Sequence, residues 1–202
     1  MERLLLATNN AGKVRELRRL LAGCGWETAT PADMGIALEV VEDGATYAEN
    51  AALKAQAFAD ASGYTALADD SGLEVDALGG RPGLQTARYG GKGLDDAGRV
   101  ALLLRELAGV LGEARGARFR SLIAIALPAA RGGEQGPWLF EGVREGRIAH
   151  VPRGAGGFGY DPVFIVDGAR TMAELGDEEK DRISHRGIAA RAAAEWLRGA
   201  AR

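Results

Sequence analysis

Hydrophobic and polar residues follow one another along this chain with two different periods, which predict a mixture of strands and helices. Short apolar runs predict strands near residues 3–7, 65–68, 73–76, 117–127, 138–142, 146–150 and 163–166. Longer amphipathic stretches predict helices near residues 12–24, 47–62, 95–108 and 185–199. Arg144 and Glu145 separate two of these strands and predict a hairpin.

Some acidic residues have a structural explanation at the predicted helix starts. Thr46 and Glu49 have the spacing of a capping box and would begin the second helix. Asp95 and Asp96 would begin the third helix as caps, so we interpret both as structural. Glu42 has no such local role and is a candidate carboxylate ligand for a metal ion.

Two adjacent acids, Asp69 and Asp70, follow the apolar run near residues 65–68 and precede Ser71 and Gly72. Gly72 would permit a turn at this point. Successive strand side chains point to opposite faces, so one carboxylate could face a hydrated metal ion while the other anchors the turn. Oxygen ligands at a strand end suit Mg²⁺, which keeps several waters and binds together with phosphate. A solvated acidic turn is the alternative.

The first strand runs into a short polar segment and then into an amphipathic helix. This segment is Thr8-Asn9-Asn10-Ala11-Gly12-Lys13. Free backbone N–H groups at a helix start, a hydroxyl and an ammonium are the parts of a phosphate cradle. The spacing is that of neither a Walker A loop nor a GxGxxG dinucleotide motif. An ordinary connection capped by asparagine is the alternative.

Lysine is rare in this chain, since only four of its 25 basic residues are lysines. Lys13 lies in the possible cradle, Lys54 on the helix leading to the acidic pair, and Lys180 shortly before Ser184-His185-Arg186-Gly187. A compact ammonium suits phosphate contacts, and chance placement of the four lysines is the alternative. His185 and Arg186 would lie in the first turn of the last helix, where positive charge is unfavourable unless an anion faces it.

A glycine-rich segment, residues 154–162, contains two aromatic residues, Phe158 and Tyr160. A loop of this kind can leave an aromatic face accessible for stacking on a nucleotide base. The alternative is a glycine-rich turn whose aromatic side chains pack into the core.

Composition indicates an ordinary enzyme-sized chain of 202 residues with 47% hydrophobic residues, enough for one core or for two lobes sharing one. Its single cysteine, Cys24, forms no intrachain disulfide and is predicted to pack on the first helix. No signal peptide and no apolar run of roughly 20 residues is evident, so we expect a cytoplasmic protein without a membrane partner. The net charge of −3 and pI near 5.5 argue against nucleic-acid binding.

Together these segments resemble the inosine/xanthosine triphosphate pyrophosphatases, the Ham1-like or non-canonical purine nucleoside triphosphate pyrophosphatases. The motifs that carry the resemblance occur in the family's order over nearly the whole chain. They are Thr8-Asn9-Asn10-Ala11-Gly12-Lys13, Glu49-Asn50-Ala51, Ala68-Asp69-Asp70-Ser71-Gly72, Ala87-Arg88-Tyr89, Gly157-Phe158-Gly159-Tyr160-Asp161-Pro162 and Ser184-His185-Arg186-Gly187.

The resemblance implies one domain over residues 1–202 with a two-lobed α/β fold. A long, bent, mixed β-sheet would be flanked by helices, and the active site would lie in the cleft between the lobes. The implied activity is hydrolysis of ITP, dITP and XTP to the monophosphate and pyrophosphate, which cleanses the nucleotide pool. A homodimer and a Mg²⁺ cofactor are also implied.

The resemblance further implies roles for individual residues. Asp70 would be the general base toward a metal-bound water and also a metal ligand, with Glu42 assisting at the metal. Lys54 would add positive charge near the triphosphate. The remaining assignments follow the motifs: Thr8, Asn9, Asn10, Ala11, Gly12, Lys13, Ser71 and Lys180 for the triphosphate, and Phe158, Gly159, Tyr160 and Asp161 for the base. His185 and Arg186 would read the 6-oxo edge of the purine, which accepts hydrogen bonds where the amino group of adenine donates.

Two other functions remain as alternatives. A haloacid-dehalogenase-like phosphatase also places aspartates at a strand end, but in a DxD arrangement that this chain lacks. A nucleotide-binding sensor could keep the cradle and Phe158 without needing Asp70 as a base. The sequence leaves open the ranking among ITP, dITP and XTP, the way guanine is rejected, the metal used in the cell and the packing of the dimer.

Overall fold

The computed structural model describes residues 2–91, 93–131 and 136–200 as an α/β fold. Its longer elements alternate between strands and helices, with short 3₁₀ turns in the connections. The strands are β1 (Glu2–Leu6), β2 (Trp26–Ala29), β3 (Thr65–Val75), β4 (Gly116–Ala126), β5 (Trp138–Ile148) and β6 (Phe164–Ile165). The helices are α1 (Ala11–Leu20), α2 (Tyr47–Ser62), α3 (Asp96–Glu106), α4 (Asp177–Ile183) and α5 (His185–Ala200).

The strands form one sheet in the order β2-β1-β3-β4-β5-β6. Strand β1 is parallel to both β2 and β3, and Leu5 pairs with Ala66 of β3. Strand β5 is antiparallel to β6, with Ile148 opposite Phe164. The sheet is therefore mixed, and the predicted α/β class with a mixed sheet and flanking helices is confirmed.

The chain divides into two compact units, and each has its own buried core. Unit 1 comprises the described residues within 1–70, 121–142 and 186–202. Helices α1 and α5 pack on strands β1, β3 and β4 through apolar side chains such as Leu17, Leu67, Ile123 and Ala190. The indole nitrogen of Trp26 donates a hydrogen bond to the Leu197 carbonyl at 3.0 Å, which connects β2 to α5.

Unit 2 comprises residues 71–120 and 143–185 within the described ranges. Its core contains Leu103 of α3 together with Phe119 and Phe164, whose ring centroids are 4.4 Å apart. Tyr160 of the glycine-rich segment belongs to the same cluster. This core supports the segment in which the sequence predicted a base-binding loop.

Two predicted chain reversals are wrong because the strands continue through them. Strand β3 runs without interruption from Thr65 to Val75, so Gly72 forms no turn after the acidic pair. Strand β5 likewise continues through the predicted hairpin. Its Gly146 lies against β6, where an added Cβ would clash with the Ile165 carbonyl oxygen. These glycines occur inside strands, and Gly146 allows a close strand approach rather than a turn.

Other boundaries differ where local signals are weak. Helix α2 has the predicted bounds, and its capping box is confirmed, with Thr46 and Glu49 bonding reciprocally. Helix α1 ends at Leu20, so Cys24 lies beyond it, buried in the core of unit 1. Strand β2 and helix α4 were not predicted. Among the described residues, no helix is long and apolar enough to cross a bilayer.

Candidate active site

The acidic pair lies in the middle of β3, in unit 1, and its two carboxylates have different partners. Asp69 follows Leu67 by two residues and so lies on the same face of the strand, where Leu67 packs in the core with α1 and α5. Asp70, one residue on, faces the opposite side of the strand, where Asn50 of α2 hydrogen-bonds to it. The two acids therefore face opposite sides of the strand, as strand periodicity predicts, but neither anchors a turn, because β3 continues through Gly72.

Asp69 is fully buried and accepts bonds from three side chains. The Ser121 hydroxyl donates to Oδ1 at 2.6 Å, and Lys13 Nζ and Arg186 Nε each lie 3.0 Å from Oδ2. Burial alone would raise the pKa of Asp69, but the positive charges of Arg186 and Lys13 outweigh it and lower that pKa strongly. Asp69 is therefore ionised and holds the two cations against β3.

Arg186 connects this carboxylate to a second one, on α1. Its NH1 group donates to Glu16 Oε2 at 2.6 Å, and the side chain is only 3% exposed. Burial would lower the pKa of Arg186, but Asp69 and Glu16 raise it. Lys13, Glu16, Asp69 and Arg186 thus form a buried cluster with two positive and two negative charges, which we call the β3 charge cluster.

Glu16 was missed by the sequence interpretation, although a signal for it exists. It lies three residues after Lys13 and next to Leu17, on the face of α1 that packs in the core. A charged residue on a buried helix face needs a partner of opposite charge. Arg186, which is buried in the first turn of α5, is that partner, and Glu16 is therefore an anion that faces this positive charge.

Asp70 is less completely buried than Asp69, since 9% of the residue is exposed. Burial raises its pKa above the ordinary value, Lys13 and Lys54 oppose this shift, and Glu42 adds to it. Asn50 hydrogen-bonds to the carboxylate and favours its charged form. The result is a partly desolvated carboxylate among two lysines and a second acid.

The loop before α2 carries Glu42 and is held to that helix. Lys54 Nζ lies 2.7 Å from Glu42 Oε1, and Asn50 Oδ1 accepts a hydrogen bond from the Gly44 N–H at 2.8 Å. A side chain at Gly44 would meet Asn50 Oδ1 at 2.7 Å, so this close approach requires glycine. The same asparagine therefore positions both the loop and Asp70.

The possible phosphate cradle begins α1. Asn10 caps the helix by accepting from the Lys13 N–H at 3.0 Å, and Thr8 Oγ1 accepts from the Asn10 N–H at 3.2 Å. The N–H groups of Ala11 and Gly12 have no partner among the described residues. Asn9 is exposed beside them. The asparagine cap is therefore present, and the N–H groups of Ala11 and Gly12 could still donate to an anion.

Lys13 has a fixed position under this helix start. Its ammonium donates to the Asp69 carbonyl oxygen at 3.0 Å and lies at the same distance from the carboxylate. Burial lowers its pKa, while Asp69 opposes that shift. Lys13 is also close enough to influence the pKa of Asp70.

The glycine-rich segment, residues 154–162, lies in unit 2 and forms a loop whose backbone is held by Asp161. Asp161 Oδ2 accepts from the Phe158 N–H at 2.8 Å and pairs with Lys180 Nζ at 2.5 Å. The same ammonium lies 5.2 Å from the centroid of the Phe158 ring, within cation–π distance. Lys180 is almost fully buried, so Asp161, Phe158 and Lys180 form one constrained group.

Other predicted residues of unit 2 have varied surroundings. Tyr160 lies in the core, where its hydroxyl donates to the Thr86 carbonyl at 3.2 Å. Gly159 donates its N–H to Asp96 at 2.9 Å. His185 is buried and stacks on Phe119, with centroids 4.6 Å apart. Ser71 is partly exposed on β3.

The structure thus brings together the predicted residues in two groups. The residues of unit 1 are Thr8, Asn9, Asn10, Ala11, Gly12, Lys13, Glu42, Lys54, Asp70 and Arg186. The residues of unit 2 are Ser71, Phe158, Gly159, Tyr160, Asp161, Lys180 and His185. Glu16, Asn50 and Ser121 are additional residues whose contacts position the first group.

The donor set for a metal ion is small. Within the described ranges, no group of three or more His, Cys, Asp or Glu residues could hold a metal ion. Asp70 and Glu42 are near enough for Glu42 to raise the pKa of Asp70. One or two carboxylates fit Mg²⁺ that arrives with a phosphate, because this ion takes its other ligands from phosphate and water.

Comparison with known proteins places these motifs in a family. Residues 4–196 match the sequence profile of the Ham1 family. The chain belongs to the Ham1 family. This membership confirms the family resemblance found in the ordered motifs.

Ham1 relatives are similar over nearly the full length. The dITP/XTP pyrophosphatase of Geobacillus kaustophilus is 50% identical over 92% of this chain and 89% of its own length. The dITP/XTP pyrophosphatase of Thermus thermophilus is 50% identical over 96% of this chain and 90% of its own length. A Ham1 protein structure from Coxiella burnetii has a TM-score of 0.86 at 38% identity, covering 98% of each chain. The Staphylococcus aureus Ham1 structure has a TM-score of 0.84 at 36% identity, covering 98% of this chain and 100% of that one.

Proposed function

We propose that this protein is a nucleoside triphosphate pyrophosphatase that hydrolyses ITP, dITP and XTP to the monophosphate and pyrophosphate. The observation that carries the proposal is Asp70, a largely buried carboxylate with a raised pKa beside Lys13, Lys54 and Glu42. Similarity to relatives named dITP/XTP pyrophosphatases, about 50% identical over most of the chain, supports the substrate class.

Asp70 would act as the general base. It accepts a proton from the water that attacks the α-phosphorus, a P–O bond forms to that water oxygen, and the bond to the bridging oxygen breaks to release pyrophosphate. A carboxylate whose pKa is raised by burial is a better proton acceptor than an exposed one. The Asn50 hydrogen bond orients the carboxylate for this transfer.

Positive groups of unit 1 would hold the phosphates. Lys13 is fixed by Asp69, and the free N–H groups of Ala11 and Gly12 offer donors at a helix N-terminus. Lys54 adds an ammonium that is already held by Glu42. A protein with a net charge of −3 must concentrate positive charge in this way to bind a triphosphate.

Asp70 and Glu42 would hold Mg²⁺ together with phosphate oxygens. When bound, Mg²⁺ would neutralise developing charge on the phosphoryl oxygens and lower the pKa of the attacking water. The two carboxylates are hard oxygen ligands. The negative charge of Glu42 raises the pKa of Asp70, and a cation near both groups would relieve this repulsion.

The group around Phe158 would bind the purine. Its ring can stack on a base, and Lys180, which lies over this ring, supplies a cationic donor for a 6-oxo acceptor. We therefore assign Lys180 to the base rather than to the triphosphate. The roles of His185 and Arg186 at the purine edge stay predictions, and the contacts of Arg186 with Asp69 and Glu16 give it a second role inside the β3 charge cluster.

Product analysis tests the reaction. The full chain is incubated with Mg²⁺ and ITP, dITP, XTP, ATP or GTP, and the nucleotide and phosphate products are resolved by ion exchange. We expect monophosphate and pyrophosphate from the hypoxanthine and xanthine nucleotides alone. Diphosphate with orthophosphate would indicate a phosphatase, and binding without turnover would indicate a sensor.

An Asp70→Asn variant tests the base. We expect turnover of ITP to fall at least ~10²-fold while the Kd for IMP stays within about two-fold. Asp95→Asn is the matched control, because asparagine replaces aspartate well at a helix N-cap. Near-normal turnover in Asp70→Asn would refute the assignment of Asp70.

A further inference from the structure

Asp96, the first residue of α3, contacts the loop that carries Phe158. Its Oδ2 accepts the Gly159 N–H at 2.9 Å, while Oδ1 accepts from Arg99 at 3.3 Å. The cap of α3 is Asp95, whose side chain accepts from the Gly98 N–H at 2.8 Å. Asp96 is therefore free of the capping role that its sequence position suggests.

Two consecutive backbone N–H groups of the loop are held by carboxylates. The Phe158 N–H donates to Asp161 at 2.8 Å, and the Gly159 N–H donates to Asp96 at 2.9 Å. These bonds constrain the backbone on both sides of the Phe158 Cα. Gly159 has φ of +62°, which glycine adopts without strain. The direction of the Phe158 side chain thus depends on both carboxylates.

The loop packs on the core of unit 2 through Tyr160, but the side that faces α3 is not filled by packing. A cavity of about 470 Å³ lies between α3 and the loop. Ala97, Val100 and Ala101 of α3 line one side, and Pro152 and Ala155 line the other. Because side chains do not fill this space, the hydrogen bond from Gly159 to Asp96 is a direct tie between α3 and the Phe158 side of the loop.

We propose that Asp96 is a positioning residue that holds Phe158 in its base-binding orientation. The inference rests on the proposed function, in which Phe158 stacks on the purine. In this role Asp96 acts through the backbone of Gly159 and not through a contact with the substrate. Its loss should weaken binding of the base without slowing the chemical step, which depends on Asp70.

Binding of IMP by calorimetry and turnover of ITP test this role in the full chain. In Asp96→Ala we expect the Kd for IMP and the KM for ITP to rise roughly five-fold, which corresponds to about 1 kcal/mol, the net size of one ordinary intramolecular hydrogen bond, with kcat unchanged. Asp96→Asn is the matched variant, because its side-chain oxygen still accepts from Gly159 without the charge. We expect it to bind IMP as the wild type does.

A double-mutant cycle separates positioning from a general structural effect. If Asp96 acts through Phe158, Asp96→Ala should change the Kd for IMP less than about two-fold in a Phe158→Ala background. An equal five-fold loss in that background, an Asp96→Asn variant as weak as Asp96→Ala, or wild-type binding by Asp96→Ala would each overturn the proposal. A wild type that binds IMP but releases no pyrophosphate from ITP would refute the proposed function, while the binding series still decides the role of Asp96.

Discussion

Replacing Glu16 by Gln tests whether the β3 charge cluster is held together by charge. The substitution keeps the size of the side chain and an oxygen that can accept from Arg186, but it removes one negative charge. Two positive charges then face the single carboxylate of Asp69. The buried cluster changes from neutral to a net charge of +1.

The magnitude follows from burial. Glu16 Oε2 lies 2.6 Å from Arg186 NH1, and the two side chains are 6% and 3% exposed. Water therefore cannot solvate the excess positive charge that the substitution leaves on Arg186. Removing one partner of a buried ion pair costs about 3–5 kcal/mol. Because glutamine still accepts a hydrogen bond, we expect the lower end, a loss of about 3 kcal/mol in the free energy of unfolding.

Urea unfolding followed by tryptophan fluorescence measures this loss in unit 1, the unit that contains Glu16. All three tryptophans, Trp26, Trp138 and Trp196, lie in unit 1 with Glu16. With an m value of about 2 kcal/mol/M, the loss corresponds to a midpoint about 1.5 M lower.

Glu27→Gln is the matched control, since Glu27 pairs with Arg3 at 3.7 Å on the exposed surface of the same unit. We expect it to change stability by less than about 0.5 kcal/mol. If Glu16→Gln shifted the midpoint no more than this control, the cluster would not depend on the Glu16 charge and the reasoning would be refuted.

Three further predictions concern the base, the metal and pH. Phe158→Ala should raise the Kd for IMP about ten-fold through lost stacking, and an unchanged Kd would remove Phe158 from the base site. EDTA should abolish ITP turnover and added Mg²⁺ should restore it, so turnover that survives EDTA contradicts the metal requirement. Hydrogen bonds from the backbone and side chain of Arg170 lower the pKa of Asp167 to about 2. A depressed pKa in the folded state stabilises the protein above about pH 4, and this contribution is lost as the pH falls toward about 2. In Arg170→Met the carboxyl ¹³C titration should move toward the ordinary value, and an unmoved titration would contradict the assignment.

The elements that the sequence predicted well are those with complete local signals. Helix α2 has a capping box at its start and Gly63 in the left-handed conformation at its end, and both can be read without knowledge of the fold. Strand β3 was broken in the prediction because glycine usually marks a turn, and β5 was broken because Arg144 and Glu145 interrupt its apolar pattern. The need for Gly146 arises from the approach of β6, which is a contact distant in sequence.

The candidate site shows the same division. Strand periodicity alone was enough to place Asp69 and Asp70 on opposite faces of β3. The partner of Glu16, in contrast, is 170 residues away, and no pattern in a single sequence specifies that pair. Asp96 was interpreted as a cap because its contact with Gly159, 63 residues away, exists only in the folded chain.

The unbroken course of β3 also determines which kinds of sequence change unit 1 can accept. A substitution at residues 65–68 alters one side chain, but inserting or deleting a single residue there shifts the strand by one position. Every side chain beyond that point would then move to the other face, since the repeat along a strand is two residues. The shift would bring the Asp69 carboxylate toward Asn50 and leave Arg186 and Lys13 facing Asp70 or Ala68. Length variation among functional descendants of this chain should therefore be confined to the loops and absent from this strand.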